Sequence, residues 1–123
     1  MTQGVEEVTR DELAERLDDP ELIVLDVRTP EEYAGEYGAP CDPRQGHIPG
    51  ARNIDVAELM NLSAAEIRER LGVPEGTEVI AYCHSGGRSA IACSLLRAAG
   101  YRARNYQGSW HEWSRDDSLP AET

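Results

Sequence analysis

The stretch with the most chemistry to offer is Tyr82-Cys83-His84-Ser85-Gly86-Gly87-Arg88-Ser89. A cysteine follows the apolar run Glu78 to Tyr82, which reads as the most central strand. A short glycine-containing loop comes next, and then the good helix formers from Arg88 to Ala99. Backbone N–H groups of such a loop can converge on one point. The N-terminus of the following helix adds partial positive charge there. The same field lowers a cysteine pKa and makes its thiolate available. One short stretch thus offers a nucleophile, an anion cradle and a fixed cation in Arg88. From the residues alone, a buried structural cysteine before an ordinary strand–helix turn is the competing reading.

The elements around it alternate short apolar runs with helical segments, which is the pattern of an α/β chain with a mostly parallel sheet. A helix is predicted over Arg10 to Leu17, with Thr9 as N-cap and Glu12 completing a capping box. Leu22 to Asp26 reads as a buried strand. Pro30 starts a short helix with Thr29 as its N-cap. Gly35 to Gly50 holds four Gly, three Pro and one Cys in sixteen residues and is expected to be a loop. Ala51 to Ile54 is a short strand and Val56 to Met60 one helical turn. Ser63 with Glu66 is a second capping box, opening a helix to Leu71. Pro74 to Thr77 is a turn, Gly100 caps the helix that begins at Arg88, and Ala103 to Tyr106 is the last strand. Trp110 to Ser114 is a closing helical turn. One domain is expected over residues 1–123, with its core over about 5–115 and a flexible tail over 116–123.

Composition narrows the partners. The chain of 123 residues carries 12 basic and 23 acidic side chains, a net charge of −11. Every basic residue is Arg. The missing Lys reads as biased base composition, with salt or heat adaptation as the alternative. Nucleic acid and membranes are not expected as partners of so acidic a chain. The charge is uneven, however. Five Arg and a single acid, Glu112, lie between Val79 and Arg115, a local sum of +4. No apolar stretch is long enough for a membrane span. Met1 to Thr9 has two glutamates and no basic apolar run, so a secretory leader is not expected. Three cysteines argue against a disulfide scaffold and for a reducing, cytoplasmic setting.

Four blocks in order carry a family resemblance. Asp26-Val-Arg-Thr-Pro-Glu-Glu-Tyr33, Gly46-His-Ile-Pro-Gly-Ala51, Tyr82 to Ser89 and Asn105-Tyr-Gln-Gly-Ser-Trp-His-Glu-Trp113 resemble the signatures of the rhodanese-like sulfurtransferases. The insertion over Gly35–Gln45 and the Gly-Ser-Trp-x-Glu-Trp ending look most like the C-terminal, catalytic half of tandem-domain thiosulfate sulfurtransferases, here standing alone. The resemblance implies a three-layer α/β/α sandwich around a five-strand parallel sheet. It implies a thiosulfate sulfurtransferase in which Cys83 attacks the outer sulfur of a small anionic donor such as thiosulfate. The resulting persulfide passes its sulfur to a thiol or cyanide-like acceptor. The amides of His84, Ser85, Gly86, Gly87, Arg88 and Ser89 would bind donor and persulfide. No metal or organic cofactor is required. A thioredoxin-type or other sulfur-acceptor protein is a possible partner.

Other residues have quieter readings. Arg28 and Glu32, four apart, read as a structural ion pair after the first strand. Asp26 either hydrogen-bonds the active loop or caps the turn that follows it. His47 is expected to fix its turn through a hydrogen bond. Arg88 is expected to face the donor, with an outward pair to Asp26 or Glu32 as the alternative. Cys93 reads as a small core residue, and Cys41 as incidental in the insertion, with a resolving or disulfide role as the alternative. Of Trp110 and Trp113, one is expected in the core and the other at the mouth of the site. Three scattered histidines do not make zinc spacing.

Two rival classes use related parts. The nearest enzymatic rival is phosphatase or arsenate reductase chemistry; dual-specificity phosphatases related to this fold place five residues between Cys and Arg. Here four, His84 to Gly87, separate Cys83 from Arg88, which leaves a cradle too tight for a tetrahedral phosphoryl centre. An inactive rhodanese-like binding module usually lacks the cysteine. A persulfide carrier or relay would use the same residues as the enzyme.

Overall fold

The computed structural model describes residues 7–123. In chain order it contains β1 (Glu7–Val8), α1 (Arg10–Glu15), β2 (Leu22–Asp26), α2 (Pro30–Tyr33), β3 (Arg52–Asn53), α3 (Val56–Met60), α4 (Ala64–Leu71), β4 (Glu78–Tyr82), α5 (Gly87–Ala98), β5 (Arg102–Tyr106) and α6 (Ser109–Trp113). The strands form one parallel sheet in the order β1-β5-β4-β2-β3. The five-strand α/β sandwich expected from the resemblance is therefore present. Its fifth strand, β1, was not visible in the sequence. Two residues cannot display a period, and Glu7 and Val8 become a strand only by pairing with Asn105 and Tyr106.

Alternation along β4 divides the core in two. Val79 and Ala81 face one layer with Leu59, Ile67, Leu71, Ala92, Cys93 and Leu96 from α3, α4 and α5. Ile80 and Tyr82 face the other with Leu13, Tyr106, Trp110 and Trp113. Both faces of β2 are buried as well, which is why its sequence is an unbroken apolar run rather than an alternating one.

Helix starts follow local chemistry. Ser63 and Glu66 form the expected reciprocal box at α4. At α1 the Thr9 hydroxyl accepts from the Glu12 amide. A full box forms instead at α2, where Thr29 and Glu32 cap one another. The tail expected to be loose folds back. Arg44 donates to the carbonyls of Trp113, Ser114, Asp116 and Leu119, and His47 bridges to Glu122 through the backbone. A half-buried guanidinium needs several acceptors, and the tail backbone supplies them. The leader reading rests mainly on residues 1–6, outside the described residues. No helix among the described residues is long and apolar enough to cross a membrane.

Candidate active site

Cys83 lies at the carboxyl end of β4, in the middle of the sheet, where parallel α/β sheets place their ligand sites. The chain then turns through residues 83–86 into α5. Gly86 makes the turn with φ of 95°, and a Cβ there would lie 2.7 Å from the Gln107 carbonyl. Glycine is required at this position for both reasons. The Gly86 amide donates to the Cys83 sulfur at 3.0 Å. The Ser89 hydroxyl lies 3.5 Å from the sulfur and 3.2 Å from the Gly86 carbonyl. Burial pushes the Cys83 thiol up. The Ser89 hydroxyl and the amides of Ser89, Gly86 and Ser85 outweigh it and hold the thiol below its ordinary value. Cys83 is only 1% exposed.

Residues that the sequence reading missed hold this loop from behind. Ser109 accepts from the Cys83 amide at 3.0 Å and donates to the Tyr106 carbonyl at 2.9 Å. Its φ of 55° is uncommon for a residue with a side chain. The next two amides, of Trp110 and His111, donate to the carbonyls of Cys83 and His84 at 2.9 Å. With those carbonyls turned to α6, the loop amides are free to face the sulfur. Asn105, also buried, donates to the Gly86 carbonyl. A serine inside a Trp-rich ending gives no local signal of such a role; only the packing of α6 against the loop shows it.

The other expected residues settle as follows. Arg28 pairs with Asp26 in a buried double contact, at 2.7–3.1 Å, and also donates to the Gly46 carbonyl. It does not pair with Glu32 as its spacing suggested, because Glu32 is turned back to cap Thr29. Asp26 thereby caps its own turn, accepting from the Arg28 amide at 2.9 Å, and does not reach the active loop. The Arg28 guanidinium packs over the rings of Tyr82 and Trp110. Glu32 instead meets Arg88 at 3.1 Å. Arg88, expected to face the donor, thus takes the outward pairing here. Burial pushes the Glu32 carboxyl up, and its bonds to Arg88 and Thr29 more than reverse this. His47 fixes its turn through the Tyr33 carbonyl at 2.7 Å and stacks on the Tyr33 ring.

Trp110 and Trp113 are both fully buried, so neither walls an open mouth. Each indole N–H finds a backbone carbonyl, of Arg44 and Pro120 respectively, and that allows both to sit in the core. Cys93 is buried in the helix layer, and burial pushes its thiol up to about 11. All three cysteines are free thiols. Spacing along the chain gives no metal set, yet the fold assembles one. Cys41, Asp42, His84 and His111 come from three segments, and the fold brings their donor atoms within 4.8 Å of one another.

The arrangement can stabilise a thiolate, and an anion or second sulfur beside it, with fixed amides and without a base. The rhodanese-like domain family matches residues 9–116. The chain is similar to the thiosulfate sulfurtransferase of Pseudomonas aeruginosa, at 37% identity over 93% of this chain and 45% of the relative. It is similar to a Thermus thermophilus protein named sulfur carrier protein TtuD, at 37% identity over 79% of this chain and 40% of the relative. It superposes on the crystal structure of a probable thiosulfate sulfurtransferase with a TM-score of 0.82 and 48% identity, covering 95% of this chain and 47% of the other. The chain spans less than half the length of each of these relatives. With the match running from Thr9 through the active loop to Asp116, the chain belongs to the rhodanese-like domain family.

Proposed function

We propose that the protein is a sulfurtransferase that takes sulfane sulfur from thiosulfate, or a donor like it, as a persulfide on Cys83. The observation that carries this reading is the Gly86 amide, 3.0 Å from a sulfur whose thiol is held below its ordinary value. The Cys83 thiolate attacks the outer sulfur of thiosulfate. A new sulfur–sulfur bond forms, the bond to the sulfonate sulfur breaks, and sulfite leaves with the electron pair. The outer sulfur stays on Cys83 as a persulfide anion, within reach of the loop amides. A thiophilic acceptor then attacks that sulfur, and the Cys83 thiolate leaves. Donor and acceptor react in turn, so the amides meet an anion in both halves.

A second reading has one observation in its favour, the similarity to a protein named as a sulfur carrier. A carrier would load the same cysteine once and release sulfur to a partner protein. Mass spectrometry after mixing with thiosulfate tests the shared step. The wild type should gain one sulfur, about 32 Da for a single sulfur retained after exchange-type attack by a thiolate. Cys83→Ser should gain none, and a sulfur adduct on that variant would overturn the assignment. Repeated turnover with cyanide then separates enzyme from carrier, which turns over slowly without its partner.

A further inference from the structure

Beside the sulfur site, four side chains that take no part in the proposed transfer converge at the insertion. Cys41 and Asp42 lie in the Gly35–Gly50 loop, His84 follows the active cysteine, and His111 is on α6. Their donor atoms lie within 4.8 Å of one another. His84 Nε2 is 3.1 Å from Asp42 Oδ2, and His111 Nδ1 is 3.5 Å from Oδ1. The Cys41 sulfur is 3.9 Å from the same Oδ1. The Asp42 side chain is only 1% exposed.

The two Asp42 oxygens are unequally served. Oδ1 accepts from Arg115 at 3.0 Å. Oδ2 is buried and meets no hydrogen-bond geometry, although His84 Nε2 is close by. A buried carboxylate oxygen without a partner is costly. The carboxylate as a whole lies beside two imidazoles and a thiol, with His111 and Cys41 nearest Oδ1 and His84 nearest Oδ2. Arg115 also donates to the carbonyls of Cys41 and His111, so it fixes the frame from one side and leaves Oδ2 on the other.

We propose that Cys41, Asp42, His84 and His111 form a binding site for a borderline divalent transition metal of the zinc class. A thiolate with two imidazoles and one carboxylate disfavours calcium and magnesium, which take oxygen donors. Donor atoms around a tetrahedral zinc, with bonds of about 2.0–2.3 Å, lie roughly 3.3–3.8 Å apart. The widest separation here must close by about 1 Å on that scale. Cys41 is exposed on a loop and can supply that movement. On binding, the thiol releases its proton to solvent and the metal–sulfur bond replaces it. The ion would tie the insertion to the loop residue next to Cys83 and to α6, whose His111 amide already donates to the His84 carbonyl.

The test is titration of chelator-treated full-length protein with Co2+, read by the thiolate-to-cobalt charge-transfer band, and with Zn2+, read by calorimetry. One equivalent should bind, with a charge-transfer band. Cys41→Ser should remove the band, and Cys41→Ser and His111→Gln should each weaken Zn2+ binding at least tenfold. Cys83→Ser should keep both the band and the stoichiometry. Both Cys41 and His111 are exposed, so circular dichroism of the variants should show the wild-type fold. No saturable binding of either metal would overturn the proposal. So would a band that survives Cys41→Ser and vanishes in Cys83→Ser, which would place the ion on the sulfur-transfer cysteine instead.

Discussion

Two buried thiols, Cys83 and Cys93, differ because their surroundings differ. Cys93 sits among Leu96, Ala92 and Val79 and is pushed up to about 11. Cys83 is nearly as buried, yet its thiol is held low because the Ser89 hydroxyl and three amides address the sulfur. Desolvation favours the neutral thiol in both, and directed N–H and O–H groups reverse it in one. The thiolate is the alkylating form, so the rate for Cys83 should fall as pH drops through its pKa. In chelator-treated protein the midpoint for Cys83 should lie below the free-thiol value of about 8.5. A midpoint at or above that value would remove the electrostatic basis of the proposed attack. At this scale the sequence was informative. Cys83, Gly86 and the Gly-rich turn were legible, because a backbone turn demands particular residues locally. Ser109 was not, because its role exists only where α6 meets the loop.

Elements decide what the charged residues do. The box at α2 holds Glu32 toward the start of α5, and Arg88 reaches across to it. Spacing alone favoured an Arg28–Glu32 pair, since residues four apart share a helix face. Arg28 precedes the helix, however, and its guanidinium finds the buried Asp26 first. Arg88 thereby links the start of α5 to α2. Arg88→Ala should lower stability by about 1 kcal/mol or less, as for a partly exposed ion pair. It should also raise the KM for thiosulfate, because the Glu32 carboxylate is left unpaired near a dianion. Glu32→Gln should lower the melting temperature too. It frees the guanidinium, so KM should fall or stay level. Steady-state kinetics of the two variants check this, and a KM raised equally in both would mean that the pair acts only through loop geometry.

At the level of the whole molecule, one arginine ties the chain's end to its middle. Arg44 reaches four carbonyls between Trp113 and Leu119, and its own carbonyl accepts from the Trp110 indole. Arg44→Ala should lower stability by about 1–3 kcal/mol, the scale of hydrogen bonds made by a charged group, read as a lower urea midpoint with an unchanged slope. Amide exchange should speed up over residues 116–122. Unchanged exchange there would show that the tail is held by other contacts.

Periodicity, turn residues and capping pairs are local, so the amino-acid order sufficed for β2, β4, α4 and the loop from Cys83 to Gly87. The same order places a cysteine at the end of a strand, before a Gly-containing turn and a helix; the reading as sulfur chemistry comes from the resemblance of four blocks to the rhodanese-like family. Contacts between distant segments are set by which faces must be buried together, and no local pattern records them. That is why β1 needed β5 beside it to be a strand. It is why both tryptophans are inside, each with a carbonyl to receive its N–H, and why the tail lies along Arg44. It is also why Cys41, Asp42, His84 and His111, which have no metal-ligand spacing along the chain, stand together. The insertion, the active loop and α6 converge at the carboxyl end of the sheet, and that convergence is a property of packing.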